Sequence, residues 1–328
     1  IDRGSNSMVV IDRIALDNYF AERATKIGCK FFLGHRVRQV KNNGNYWSLY
    51  IKHNNKLKVW KSKLLISAEG VHARLAASLG LPFPDKNWLF PAIQMTFEGV
   101  TDFDKDCVEL FFGRNYAPGF FGWLIPVNEE LVRAGVAIGR VFNGKTRLFM
   151  KRFLKKHPHL RQRFKKAKIR ETYGGLVPGT GPIKKTYLDR FMVIGDAAGQ
   201  SKATTGGGVN IGGYCGRLAG IMAGKIISEK LSTYRGCLDY QRKWQAQFEP
   251  DLSIMKLFRR MLTPLPDKTW DKIIQIAKET DLQGYLKNSD IDLHGTSLLQ
   301  YSLAPRILMK STHLLPQVAV SLLHGLSI

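Results

Sequence analysis

A chain of 328 residues is long enough to bury a sizeable core, and its length is compatible with two domains. Its 44% hydrophobic and 23% charged content is that of an ordinary globular protein, but 50 Lys+Arg against 26 Asp+Glu leave a net charge of +24. Such an excess favours polyanionic partners, either nucleic acid or an anionic membrane surface. Cys29, Cys107, Cys215 and Cys237 lie far apart without CxxC spacing, which argues against a zinc site or a dithiol motif. No stretch reads as a signal peptide or a transmembrane helix, because the most apolar long segments carry Arg217 and Lys225, or Arg306 and Lys310. The expected location is cytoplasmic, with peripheral attachment to the inner face of the cell membrane if the basic surface docks there.

In chain order, residues 8–11 read as a strand-like apolar run, after which Asp12 and Arg13 precede a helix over residues 15–28. Leu16, Tyr19, Phe20, Ala24 and Ile27 fall on one face of that helix, and Gly28 is a natural C-cap. Residues 29–33 read as the next short strand. Strands over 36–41, 46–52 and 57–60 follow, linked by Asn-Gly and Asn-Asn turns, with Asn42-Asn43-Gly44-Asn45 a strong hairpin signal. Residues 64–67 return to a parallel sheet and run into Ala68-Glu69-Gly70-Val71-His72-Ala73-Arg74, where His72 reads as an exposed loop residue.

From about residue 88 the pattern changes to antiparallel strands over 92–99, 108–113, 120–126 and 132–139, with no long helix between them, which predicts a second domain. Residues 118–126 read PGFFGWLIP. Residues 151–170 hold ten Lys or Arg and no acid, while Leu148, Phe149, Phe153, Leu154, Leu160 and Phe164 supply an apolar stripe broken near Pro158. Two readings stand side by side: a helical hairpin whose charges face water, and an interfacial surface that docks on anionic phospholipid. Nucleic acid is disfavoured because no reader motif accompanies the charge. Residues 173–182, YGGLVPGTGP, lead the chain back towards the first domain.

Residues 191–220 read as a short buried strand, a turn containing an acid, a glycine-rich loop and a small-residue helix. Gly195 and Asp196 close the strand, Ala197, Ala198 and Gly199 keep side chains short, and Gly206, Gly207 and Gly208 permit close backbone approach. A helix starting near Gly208 would aim free N–H groups and a partial positive charge at an anionic or electron-rich ligand. Beyond Ser232 the chain reads as helical over 238–258, 270–278 and from 298 onwards, with interruptions at Pro305 and Pro316.

GDAAG followed by TTGGGV and a small-residue helix resembles the second FAD motif of flavoproteins built on the para-hydroxybenzoate hydroxylase plan. The TTGGG form is similar to the geranylgeranyl reductases, and among them to the archaeal enzymes that saturate membrane-lipid isoprenoid chains. The resemblance implies FAD as cofactor, with Asp196 at the ribityl chain, the glycine-rich helix start facing the pyrophosphate and flavin ring, Gly208 and Val209 beside the isoalloxazine, and Gly195 and Gly207 also in the cofactor site. The family's "vvdR" segment puts Arg13 in contact with FAD and Val37 near the adenine. Its "PxxYxWxFP" strand corresponds to Pro118, Phe121, Trp123, Ile125 and Pro126, so Phe121, Trp123 and Pro126 would line an apolar lipid cavity. Two residues depart from that strand, Phe121 for tyrosine and Ile125 for phenylalanine. Two more depart from the family's "ADGxxSxvR" stretch, Glu69 for aspartate and Ala73 for serine. Tyr240, Trp244, LTPLPDKTWDK and NSDIDLHGTSL match the archaeal enzymes' C-terminal region in order, where helices would wall the end of a substrate tunnel.

The fold implied is α/β, para-hydroxybenzoate hydroxylase-like, with an antiparallel substrate-domain sheet and a C-terminal helical region. The strand–GxGxxG–helix unit that opens such flavoproteins has no counterpart in these residues, which predicts weak FAD binding. The expected division is 1–87 and 179–232 for the two parts of the FAD-binding domain, 88–178 for the substrate domain and 233–328 for the helical region. The activity implied is reduction of C=C bonds in geranylgeranyl chains of an archaeal ether phospholipid or related isoprenoid. An FAD-dependent monooxygenase of the same plan is the first alternative. A non-catalytic basic protein with a vestigial flavin fold, bound to membrane or nucleic acid, is the second. No residue pattern supplies a general acid or a metal site, so the catalytic residues stay unassigned. NADPH, ferredoxin and reduced deazaflavin all remain open as electron donors.

Overall fold

The computed structural model describes residues 10–282, 284, 290 and 292–314. Helix α1 (Arg13–Lys26) starts where the Asp12 carboxylate accepts the Ile14 and Ala15 N–H groups, and it ends at Gly28, whose φ of +95° needs glycine. Its apolar face forms as expected, yet α1 buries no residue, and Tyr19, Phe20 and Ile27 are exposed.

Among the described residues, two expected strands do not form. Val10 and Ile11 join no ladder (Met8 lies outside the described residues), and residues 29–33 run irregularly with Phe31, Phe32 and Leu33 exposed. A strand needs a neighbour for its N–H and C=O groups, and these two segments find none among the described residues.

β1 (Arg36–Asn42), β2 (Trp47–His53) and β3 (Lys56–Ser62) form an antiparallel ribbon. Asn54 and Asn55, at φ +47° and +59°, make the tight turn between β2 and β3. Buried Trp47 fastens the ribbon by donating from Nε1 to the Arg190 carbonyl at 2.9 Å. β4 (Leu65–Ser67) leads into the short α2 (Arg74–Ser78). Glu69 caps α2 by accepting from Leu75 N at 2.8 Å and Ala76 N at 3.2 Å, while Ser67 Oγ donates to it at 2.6 Å. The glutamate that departs from the family pattern therefore has a structural task.

β5 (Leu89–Glu98), β6 (Glu109–Phe111), β7 (Gly122–Pro126), β8 (Leu131–Ala137) and, after α3 (Thr146–Lys156), β9 (Lys168–Pro178) make one antiparallel sheet in the order β6-β7-β8-β5-β9. The helical hairpin expected over the basic region is only half formed. α3 stops before Pro158, and residues 168–178 are instead an edge strand, held by β5 along its length. Phe149, Met150 and Phe153 of α3 pack into the core under this sheet and the lysines and arginines of α3 face water, whereas Arg163 beyond it is buried in an ion pair with Glu109.

β10 (Tyr187–Leu188) pairs antiparallel with β11 (Phe191–Val193), which runs parallel to β4. α4 (Val209–Ile227) and α5 (Thr233–Leu262) share a core with Met192, Cys215, Tyr240 and Trp244. α6 (Asp267–Glu279), α7 (His294–Leu303) and α8 (Pro305–Ser311) complete the described chain, with Pro305 opening α8 as expected and Pro316 outside the described residues. No helix among the described residues is long and apolar enough to cross a membrane.

Candidate functional site

β11 delivers the chain to Gly195, whose φ of +65° begins a tight turn through Ala198. The turn ends at Gly199, where a Cβ would stand 2.0 Å from the Gly181 carbonyl oxygen. A buried network fixes its start. Gly195 N donates to Gln200 Oε1 at 2.7 Å, Gln200 Nε2 donates to the Tyr240 hydroxyl at 2.9 Å, and that hydroxyl donates to the Val193 carbonyl at 2.8 Å. The Asp196 carboxylate has no hydrogen-bond partner among the described residues. Burial pushes its pKa up, and the charge of Arg13 pulls the other way. Ser201 Oγ is buried nearby in sequence and also has no partner. Buried polar groups are ordinarily paired, so Ser201 Oγ is an orphan in the turn, beside the half-buried carboxylate of Asp196.

The loop from Lys202 to Gly208 closes on itself, with Lys202 N donating to Gly207 O and Gly206 N to Lys202 O. α4 then begins at Gly208 with no side chain capping its first N–H groups. A Cβ at Gly208 would stand 3.1 Å from Ser201 Cβ and 3.2 Å from Asp196 Oδ1, so glycine keeps open the space between helix start and acid. One turn on, Gly212 packs against Gly195, where a Cβ would reach its Cα at 3.6 Å. The result is an uncapped helix N-terminus facing a free carboxylate across a glycine floor. That arrangement suits a ligand carrying hydroxyls and an anionic group.

The aromatic wall lies on the neighbouring sheet. Trp123 donates from Nε1 to Gln94 Oε1 at 2.9 Å, and it meets Phe121 edge-on at 6.1 Å. Phe121 stacks on Phe120 at 4.4 Å, and Phe112 carries the series on to Trp270 of α6 at 4.5 Å. Two links join wall and loop. Val177 Cγ1 of β9 occupies the position of a Gly206 Cβ, 2.0 Å away, and Gly206 itself has φ of +75°. Arg259 of α5, fully enclosed, donates to the Ala203 carbonyl at 2.9 Å and to the Thr204 carbonyl, with its guanidinium 4.1 Å from the Phe120 ring centre. Burial lowers the pKa of that guanidinium, and no carboxylate pairs with it among the described residues.

Gly195, Asp196, Gly207, Gly208 and Val209 thus come together, and Phe121 and Trp123 face the same region through Val177 and Arg259. Arg13 sits at the exposed start of α1, paired with Asp17 at 3.3 Å, and its charge reaches Asp196. Val37 packs in the cluster that holds Ala197 and Ala198 behind the turn. Pro126 is buried at the far end of β7 opposite Val132 and stays outside the aromatic cluster. Gln200, Tyr240 and Arg259 carry no sequence signal that marks them as site residues, apart from the position of Gln200 just after GDAAG. Cys215 and Cys237 are buried thiols with pKa values pushed up to about 12 and about 11 by burial, which keeps them unreactive. Among the described residues no cluster of His, Cys, Asp and Glu could hold a metal ion.

Residues 89–177 match the family model of the geranylgeranyl reductase catalytic domain. Over 298 residues the chain is 30% identical to a digeranylgeranylglycerophospholipid reductase of Methanocaldococcus jannaschii, covering 89% of this chain and 75% of that protein. A geranylgeranyl bacteriochlorophyll reductase-like protein from Thermoplasma acidophilum shares the fold with a TM-score of 0.77 at 20% identity, covering 94% of this chain and 77% of the other. The flavin-dependent brominase Bmp2 follows with a TM-score of 0.66 at 17% identity, over 87% of this chain and 70% of its own.

Proposed function

The chain belongs to the geranylgeranyl reductase family, and on that footing we propose that it saturates C=C bonds in the geranylgeranyl chains of an archaeal ether phospholipid or a related isoprenoid. The observation that supports this reading best is the junction of glycine loop and aromatic wall through Val177 and Arg259. In this reading the junction would bring a cofactor cradle and an apolar aromatic surface together.

FAD is the cofactor, and the residues present fit it. In this reading the Asp196 carboxylate would accept from ribityl hydroxyls, the uncapped start of α4 with Gly207 would receive the pyrophosphate, and Gly208 and Val209 would lie along the ring. When bound and reduced, FAD supplies the hydride that one alkene carbon takes up while the other takes a proton. Trp123, fixed by Gln94, and Phe121 exclude water and present ring faces to the positive charge that develops on an electron-rich alkene. Residues 1–87 with 179–232 would form the cofactor side and residues 88–178 the substrate side.

The basic face supplies the meeting with the lipid's own phase. Arg147, Lys151, Arg152, Lys155 and Lys156 of α3 are exposed while Phe149, Met150 and Phe153 point inward and Leu148 alone of its large apolar residues is exposed, so docking on an anionic membrane would be mainly electrostatic. The test is to load the chain with FAD, reduce it chemically and offer a geranylgeranyl glycerophospholipid, following the lipid by mass spectrometry. Each saturated bond adds one hydrogen pair. An FAD-loaded, reduced protein that leaves every chain unsaturated would overturn the reading.

A further inference from the structure

The glycine loop is held from outside by a segment far along the chain. Asp292 Oδ1 accepts from Lys202 Nζ at 2.5 Å and Oδ2 from Asn210 Nδ2 at 2.6 Å. Lys202 and Asn210 stand before and after Gly206–Gly208, so one carboxylate ties together both ends of the loop. Two residues on, His294 Nε2 shares a hydrogen bond with Thr204 Oγ1 at 2.8 Å. The clasp stands on a firm base, because Thr296 N donates to Asp251 Oδ1 of α5 at 2.8 Å and Gly295 packs so tightly there that a Cβ would meet the Asp251 carbonyl oxygen at 2.4 Å.

An ion pair on an open surface contributes little. This one is different, because the side chains of Lys202 and Asp292 are only 12% and 21% exposed. Burial alone would push the Asp292 carboxyl up, yet the hydrogen bonds from Lys202 and Asn210, with the charges of Lys202 and His294, hold it below the ordinary range. A glycine-rich loop has more conformational freedom to lose than any other. Its backbone and the start of α4 are therefore pre-organised only if something else fixes them.

We propose that Asp292 and His294 are positioning residues of the cofactor site, so that docking of the segment 292–303 and binding of FAD strengthen each other. The inference rests on the cofactor reading above. Coupling of this kind is reciprocal: what the clasp gives to FAD affinity, FAD returns as protection of the clasp.

The experiment measures FAD affinity, the visible flavin spectrum and amide hydrogen exchange in the wild-type chain and in Asp292→Ala. The wild type should take up FAD and, on doing so, gain exchange protection over 292–303. Asp292→Ala should bind FAD at least about tenfold more weakly, the loss expected for a charge-assisted contact, and should show no such gain. Asn210→Ala, at an exposed position that does not threaten folding, should weaken binding in the same direction, and Asp292→Asn should restore part of it. If the wild type binds FAD and all three variants bind it equally well with the same spectrum, the clasp has no such role. If the wild type takes up no FAD, the cofactor reading itself fails and this inference falls with it.

Discussion

The indole of Trp123 fills the space that a side chain at its cross-strand partner Gly135 would need. A Cβ there would stand 2.4 Å from both Cε2 and Cζ2 of the ring. The aromatic wall therefore depends on an absence in β8. Gly135→Ala should drive the indole off Gln94 and out of line with Phe121, at a cost of about 1–3 kcal/mol in stability. Reduction of the lipid should fall more than FAD binding does. Tryptophan fluorescence, a thermal melt and a lipid turnover assay on one preparation would separate these effects.

Asp196 carries a second prediction, with a definite sign in pH. Burial raises its carboxyl, so the folded cofactor-free protein holds that proton more tightly than the unfolded chain does. This contribution to stability is fully present below the ordinary aspartate value of about 3.9 and is lost as pH rises through the raised one. Without FAD, Asp196→Asn should accordingly lose less stability than wild type as pH climbs from about 4 towards neutrality. Its FAD affinity should be lower throughout. Melts at stepped pH, with and without FAD, check both halves.

Asp292 behaves in the opposite sense. Its carboxyl lies below the ordinary range, so its contribution is present above about pH 3.9 and lost only as pH falls through the lowered value. The 292–303 segment should keep its hydrogen-exchange protection in mild acid, and Asp292→Asn should remove the acid-sensitive part.

Arg259 bridges loop and wall from inside the core, so its replacement should affect both. Arg259→Met leaves two carbonyls unpaired and should destabilise the protein by about 2–4 kcal/mol. Arg259→Lys keeps the charge, but a single ammonium cannot span Ala203, Thr204 and the Phe120 ring together, and it should lie between. Denaturant titration measures the order.

For the basic face, Lys151→Glu with Lys155→Glu reverses two exposed charges one helical turn apart on α3. Binding to anionic vesicles should weaken by at least about tenfold and become less sensitive to salt. Turnover of a lipid dispersed in neutral detergent should be unchanged. Vesicle co-sedimentation at two salt concentrations reads the first result.

What the chain announces locally, it forms locally. Gly195, Gly199 and Gly206 adopt the positive φ that their turn signals imply, Asn54 and Asn55 make the hairpin, and α4 starts at Gly208. The contacts that make a site of these pieces are long-range. Tyr240 meets Gln200 across 40 residues, Arg259 meets Ala203 across 56 and Asp292 meets Lys202 across 90, and no local period marks them. The same limit explains the misread elements. The segment 29–33 has strand-like composition without a neighbour to bond among the described residues, whereas residues 168–170 end the basic run that suggests a solvated helix and yet open a strand that pairs with β5. Pairing decided both cases, and pairing is not written in composition.

The contact of Val177 with Gly206 also bears on how such proteins can be altered. Val177 is the last residue of the segment that matches the catalytic-domain model, and Gly206 belongs to the loop outside it. A graft that exchanges residues 89–177 for those of another reductase must bring a side chain of valine's bulk to position 177. Larger residues there would collide with the loop, and smaller ones would leave it unsupported. The two positions form a seam between the sheet and the glycine loop, along which one could be exchanged without rebuilding the other.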